Sequence, residues 1–220
     1  STAKSTRRGK VAAKGVLSAS DDGATRNRIL EAAHRVFIRQ GTASARTQEI
    51  ADEAGVNKAL VHYYFGTKAL LADAVFARAA GELMPRIFHM VGDASLSLEE
   101  KVQRVVREQL RFHSAHPYLA GYLIVEAHTE PSRLQRILSP HGKAPLGVLR
   151  RQLADAAAAG EIRPVTAEQF VVDLMSLCVF PFVARPILQQ VIGLDEARFR
   201  SFISARVRVL PQFFLAGLRP

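Results

Sequence analysis

An all-α fold is what this sequence predicts, and three observations carry it. Apolar residues recur at helical spacing through most of the chain, no stretch alternates as a half-buried strand does, and the periodic segments open on capping residues and break at Gly or Pro. The chain has 220 residues and 48% hydrophobic content, enough for one large domain or for a small one plus a medium one. No internal repeat is present.

Residues 1–24 lack a helical period and are rich in Ser, Ala, Gly, Lys and Arg, which predicts a flexible basic arm with Lys4, Arg7, Arg8, Lys10 and Lys14. Such an arm suits a DNA minor groove and equally a solvated tail. Residues 25–40 form the first helix: Ile29, Ala32, Ala33, Val36 and Phe37 share one stripe, and Gly41 stops it. In residues 48–54, Ile50, Ala51 and Ala54 fall at helical spacing, with Thr47 as the expected cap. Gly55 supplies the positive φ that turns the chain. Residues 57–65 open on a capping Asn57. Val56, Leu60 or Val61, and Phe65 are the inward anchors, which leaves Lys58, His62 and Tyr63 outside. Two short helices around a glycine describe a helix-turn-helix, whose second helix enters a DNA major groove.

Thr67 caps a longer helix over residues 68–91, with Leu70, Leu71, Ala74, Val75, Ala79 and Leu83 on its buried side and Pro85 as an expected kink. Ser97 and Glu100 make a capping box that starts a helix to Ala115. Pro117 opens another helix to residue 128, Pro131 breaks it, and residues 132–138 form a short helix. After a break at residues 139–145, residues 146–159 are helical up to Gly160. Thr166 and Gln169 form a second capping box before an apolar helix, residues 167–180, disturbed by Pro181 and Pro186; Asp195 caps a last helix to residue 215.

A formal net charge of +10 points to a polyanion, nucleic acid before an acidic membrane surface. The single cysteine, Cys178, excludes an intrachain disulfide and predicts a cytoplasmic setting; within an apolar run it reads as a buried structural thiol. The longest apolar run, residues 174–184, is too short for a bilayer, and no apolar segment follows the basic N-terminus, so neither a membrane partner nor a secretory leader is expected. There is no Gly-rich phosphate loop, H-E-x-x-H or G-x-S-x-G, so no catalytic residue and no cofactor are assigned.

The stretch TQEIADEAGVNKALVHYYFGTK, residues 47–68, resembles the DNA-binding signature of the TetR family of bacterial repressors. Thr47, Ile50, Ala51, Ala54, Gly55, Val56, Asn57, Ala59, Val61, His62, Tyr64, Phe65 and Lys68 stand at the matching places. Ala59, where Gly or Pro is frequent, and His62, where Tyr is frequent, depart from the pattern and bear on the DNA sequence read. The resemblance implies an N-terminal three-helix DNA-binding domain at 25–72 and a C-terminal helical ligand-binding and dimerisation domain at 73–220. It places Gln48, Lys58, Ala59, Leu60, His62 and Tyr63 at or near base edges, and Thr47, Tyr64 and Lys68 on phosphates. The chemistry agrees: lysine donates to guanine, glutamine pairs with adenine, and tyrosine hydroxyls suit phosphate oxygens.

The same resemblance implies a cytoplasmic, homodimeric repressor that binds a palindromic double-stranded operator and is released by a small-molecule effector. Dimerisation falls to the last two long helices, with Phe170, Leu174, Leu177 and Phe180 on one and Phe199, Phe202, Val209, Phe213 and Phe214 on the other. For the effector pocket the middle helices offer Phe88, Phe112, His113, His116, Tyr118, Tyr122, Met175 and Cys178, a mixture that favours a largely apolar or aromatic ligand. The pair His113 and His116, followed by Glu126 and His128, has spacing compatible with a metal, yet plain surface or packed histidines explain it better and no metal is assigned. Two other classes remain: a non-sensing architectural DNA-binding dimer, and an enzyme without a motif.

Overall fold

The computed structural model describes residues 19–117, 119–121, 124, 128 and 131–220. Every regular element among them is helical: α1 (Ala19–Ser44), α2 (Thr47–Ala54), α3 (Lys58–Phe65), α4 (Lys68–Gly92), α5 (Leu98–Ala115), α6 (Pro131–Leu138), a 3-10 turn (Ser139–His141), α7 (Gly147–Ala158), α8 (Ala167–Val183), α9 (Arg185–Val191) and α10 (Glu196–Ala216). Most of the arm expected at residues 1–24, and half of the helix expected at 117–128, lie outside the described residues.

Local cap chemistry sets most boundaries. Asn57, Thr67, Ser97, Thr166 and Asp195 each accept a backbone N–H from the third residue on. Ser97 N also donates to Glu100 Oε2 at 2.9 Å, which completes the box. Thr47 is not a cap. It is the first helical residue of α2, and Arg46 N donates to Glu49 Oε2 at 2.9 Å before it. α1 begins at Ala19, ahead of the expected start at residue 25, with Asp21 and Asp22 in its first turn where the helix dipole favours them. Gly41 (φ 75°, ψ 165°) breaks the regular helix as expected, and one further turn runs to Ser44.

Two apolar cores form. The first joins α1, α2, α3 and the start of α4 through Ile29, Val36, Phe37, Ile50, Val61, Phe65, Leu71 and Val75. The second gathers Leu83, Ile87, Val102, Val106, Leu110, Leu149, Phe170, Leu174, Phe199 and Phe214 around α5. α4 contributes to both, so it is the one long rod shared by the N-terminal head and the C-terminal body. Its Leu70, expected inside, is 55% exposed, because the buried stripe runs instead through Leu71, Ala72, Val75 and Phe76. Pro85 sits inside α4 without ending it.

α8 and α10 lie side by side and antiparallel over α5. Phe170 meets Phe214 edge-on at 5.0 Å, Arg206 Nη2 donates to Leu177 O at 2.7 Å, and Phe182 meets Phe199 at 5.9 Å. The middle contact explains why Pro181 fails to end α8. A proline in a helix leaves the carbonyl four residues back without its N–H partner. Here that carbonyl is Leu177 O, and the Arg206 guanidinium takes it.

His113 belongs to the second core. It is 4% exposed, with its ring 5.3 Å from those of Phe112 and Phe182, and its Nδ1 has no partner. Burial pushes its pKa down to about 4 from an ordinary 6.5. Between those two values the unfolded chain takes up a proton that the native chain refuses. Stability is therefore complete above pH 6.5 and falls as pH drops toward 4, by up to about 3 kcal/mol.

Replacing His113→Leu flattens the stability–pH curve between pH 6.5 and 4 relative to wild type in denaturant titrations; equal slopes would mean His113 is not held neutral. Arg206→Met lowers stability by about 1–3 kcal/mol through the unpaired Leu177 carbonyl. Adding Pro181→Ala to that variant restores part of the loss by supplying the missing N–H, and an additive double-mutant cycle would contradict the pairing.

Candidate nucleic-acid interface and adjoining cavity

The turn between α2 and α3 is built as its residues demand. Gly55 sits at φ 65°, ψ 37°, its N–H bonds to Asp52 O at 3.1 Å, and Val56 N bonds to Ala51 O at 3.0 Å. α1 and α2 are fixed to each other by Arg35 and Arg39, both 2.8 Å from the Glu53 carboxylate, and by Gln40 on Glu49 at 2.8 Å. The two guanidiniums hold the Glu53 carboxyl below its usual range. α3 then buries Val61 and Phe65 and turns its other side to solvent. Val61, rather than Leu60, is the inward anchor: Leu60 is half-buried.

On that outer side Lys58, Ala59, His62 and Tyr63 are exposed, Tyr63 by 75%. Gln48 projects from α2 and donates to Asp52 at 2.8 Å; His62 Nδ1 lies 2.7 Å from Gly66 O. The three residues matched to phosphate positions have intramolecular roles as well. Thr47 is half-buried at the start of α2. The Tyr64 hydroxyl donates to Asp22 in the first turn of α1, and that carboxylate pushes the phenol up to about 12. Lys68 Nζ donates to Ala43 O and Ala45 O, both at 3.0 Å, which closes the carbonyl end of α1. Arg26 lies over the Phe65 ring at 5.0 Å.

Those residues assigned to an effector pocket that are described do not converge. Phe112, His113 and Cys178 are core, and burial pushes the Cys178 thiol up to about 12. Phe88 is half-buried on α4. Met175 borders only a small void of about 30 Å³, where its sulfur accepts from Gln109 Nε2 at 3.0 Å. Tyr118 and Tyr122 lie outside the described residues, as does Glu126 of the considered metal set. His116 and His128 give their Nδ1 atoms to Phe112 O and Ile124 O, and no three His, Cys, Asp or Glu converge on a metal site among the described residues.

Of the assigned residues that are described, His116 borders a large cavity, of about 530 Å³. The cavity lies where the head meets the body. His34, Phe37 and Ile38 of α1 and Lys68, Ala72 and Val75 of α4 form one side; Pro117, Leu119, Phe182, Val183 and Arg185 form the other. The His34 and His116 rings cross the junction 4.7 Å apart, and His116 stacks on Phe112 at 4.4 Å. Burial first, and His116 second, hold His34 below its ordinary pKa.

The dimerisation set also divides. Phe170, Leu174, Phe199 and Phe214 are each 7% exposed or less and form the chain's own core, so they are unavailable to a second copy. Leu177 and Phe202 are half-buried and engaged by Arg206, through the carbonyl of one and the ring of the other. Phe180, Val209 and Phe213 are exposed by 61%, 58% and 66%, and Val172, not singled out by spacing, joins them at 58%. No single helix among the described residues is long and apolar enough to cross a membrane.

Comparison with known proteins accords with this geometry. Residues 29–75 match the family described as bacterial regulatory proteins, tetR family, and residues 99–200 match the tetracyclin repressor-like C-terminal domain. The chain is 33% identical over 111 residues to the HTH-type transcriptional repressor SCO4008 of Streptomyces coelicolor, which covers 50% of this chain and 53% of that relative. It is 32% identical over 142 residues to the HTH-type transcriptional regulator BetI of Rhizobium meliloti, covering 62% and 70%. Among solved structures, HlyIIR, a hemolysin II transcriptional regulator, shares the fold with TM-score 0.59 and 22% identity over 90% of this chain and 99% of the other. A TetR/AcrR-family regulator from Thermobifida fusca does so with TM-score 0.62 and 17% identity, over 90% and 100%. With its helix-turn-helix, its helical body and these relatives, the chain belongs to the TetR family of bacterial regulatory proteins and is a DNA-binding transcriptional regulator.

Proposed function

We propose that this regulator is a repressor that binds a palindromic operator as a homodimer and leaves it when a small molecule fills the cavity between head and body. The observation that carries the reading is the position of that cavity. Its walls come from both cores, so an occupant changes how α1 and the start of α4 sit against the end of α5 and α8. A ligand shifts a DNA-binding equilibrium only by its differential affinity for the two states, and a junction cavity supplies that difference.

The reading head is small. Lys58, His62 and Tyr63 form the base-reading face, with Gln48 joining once it leaves Asp52. One such face gives a short footprint, and two related by a two-fold axis give half-sites about one helical turn apart. The second copy docks on the outer face of α8 and α10, where Val172, Phe180, Val209 and Phe213 stay exposed after the chain has filled its own core.

Selection of bound sites from random duplex DNA at physiological salt tests this directly. A palindrome is the expected result. Recovery of no motif, with binding lost steeply as salt rises, would favour an architectural protein. On the selected site, Tyr63→Ala weakens binding about tenfold or more while sedimentation still shows a dimer. Phe213→Glu does the reverse: it yields monomers whose heads remain folded and whose operator affinity collapses. Unchanged sedimentation in Phe213→Glu would displace the interface from this face.

A further inference from the structure

We infer that the effector is an elongated amphipathic carboxylate, and that Arg185 is the residue that takes its charged end, exchanging the Glu196 carboxylate for that of the ligand. This rests on the effector reading above and specifies the ligand's chemistry.

The cavity at the head–body junction has a second one behind it, of about 510 Å³, between α5 and α10. The two share Pro117, Phe182 and Arg185, so Arg185 stands in the wall between them. Apolar surface continues on both sides of that wall, from Phe37 and Val75 in the first cavity to Leu110 and Ile203 in the second. The second cavity is also lined by Arg107, Arg111, Arg200 and Glu196, so a ligand with its charged end at Arg185 and its tail along the first cavity is elongated and amphipathic rather than compact.

Charge selects the sign. Among the described residues, the first cavity is lined by His34, Lys68, His116 and Arg185 and by no Asp or Glu. The Arg185 side chain is only 13% exposed and sits over the Phe199 ring at 4.8 Å. A cation held that far from water needs an anion, and Glu196 now provides it. Glu196 is a replaceable partner, because its side chain is 55% exposed and it also accepts from Arg200 at 3.2 Å. A ligand carboxylate can take the guanidinium in bidentate fashion while Glu196 turns to Arg200 and solvent. The apolar tail then fills the first cavity, beneath α1 and α4.

The test titrates the full-length protein by calorimetry with hexanoate, decanoate and 4-phenylbutanoate, each against its matched alcohol and below any micellar concentration. At least one carboxylate is expected to bind saturably and at least tenfold more tightly than its alcohol. Arg185→Met should abolish that preference, and Glu196→Gln should tighten carboxylate binding several-fold by removing the competitor. A purely structural ion pair predicts otherwise, since both substitutions break the same contact and would act alike. Equal binding of acids and alcohols throughout the series, or a preference that survives Arg185→Met, would overturn the assignment. Operator release is scored separately. A carboxylate that binds through Arg185 without releasing DNA supports this inference and refutes the release reading; release by alcohols as readily as by acids does the opposite.

Discussion

An eight-residue helix does not hold its own shape in water, and the proposed reading face is carried by one. Isolated helices of fewer than about 12–15 residues are marginal. α3 exists because Asn57 starts it, Gly55 and Gly66 bound it, and Val61 and Phe65 are buried in the core shared with α1, α2 and the start of α4. The residues that fix its inner side also decide its outer side. With Val61 and Phe65 inward, Lys58, His62 and Tyr63 have no alternative but solvent or a partner. The proposed reading face is thus a by-product of packing, and its orientation is inherited from α1 and α4.

That inheritance makes the junction with the body consequential. α4 belongs to both cores, and the carbonyl end of α1 is tied to it by Lys68. The same Lys68 borders the large cavity, opposite Arg185 and Phe182 of the body. On the proposed reading, a change in the cavity reaches the head through the side chains that line it, with no long path to invoke. The His34–His116 contact crosses the same seam and ties α1 to the end of α5.

What was legible in the sequence was what is decided locally. Asn57, Thr67, Ser97, Thr166 and Asp195 act within three residues of themselves, and all five cap as their spacing predicts. The inner face of α3 follows from helical period alone. Contacts between distant residues were not legible. Asp22 holds Tyr64 from 42 positions away, a contact that spacing does not show. Pro181 reads as a helix breaker until Arg206, on another helix, takes the carbonyl it strands. The apolar faces of α8 and α10 identify both helices as packed, but periodicity cannot say which residues face α5 and which face outward. Phe170 and Phe199 therefore read as interface and are core, while Val172 went unremarked and is exposed. The cavity draws on α1, α4, α8, the start of α9 and the segment after α5, elements too far apart in the chain for spacing to bring together.

The central claim is that the junction cavity and the reading face are two ends of one equilibrium. Linkage gives it a direct test, because coupling between two ligands is reciprocal. The measurement is the affinity of the strongest-binding ligand for the free dimer and for the same dimer saturated with its selected operator duplex. The account predicts that operator weakens ligand binding, and by the same factor by which ligand weakens operator binding, on the order of 5–150-fold for a typical coupling of 1–3 kcal/mol. Ligand affinity that is identical with and without operator would contradict it, and would leave the cavity as a site without a message to the DNA.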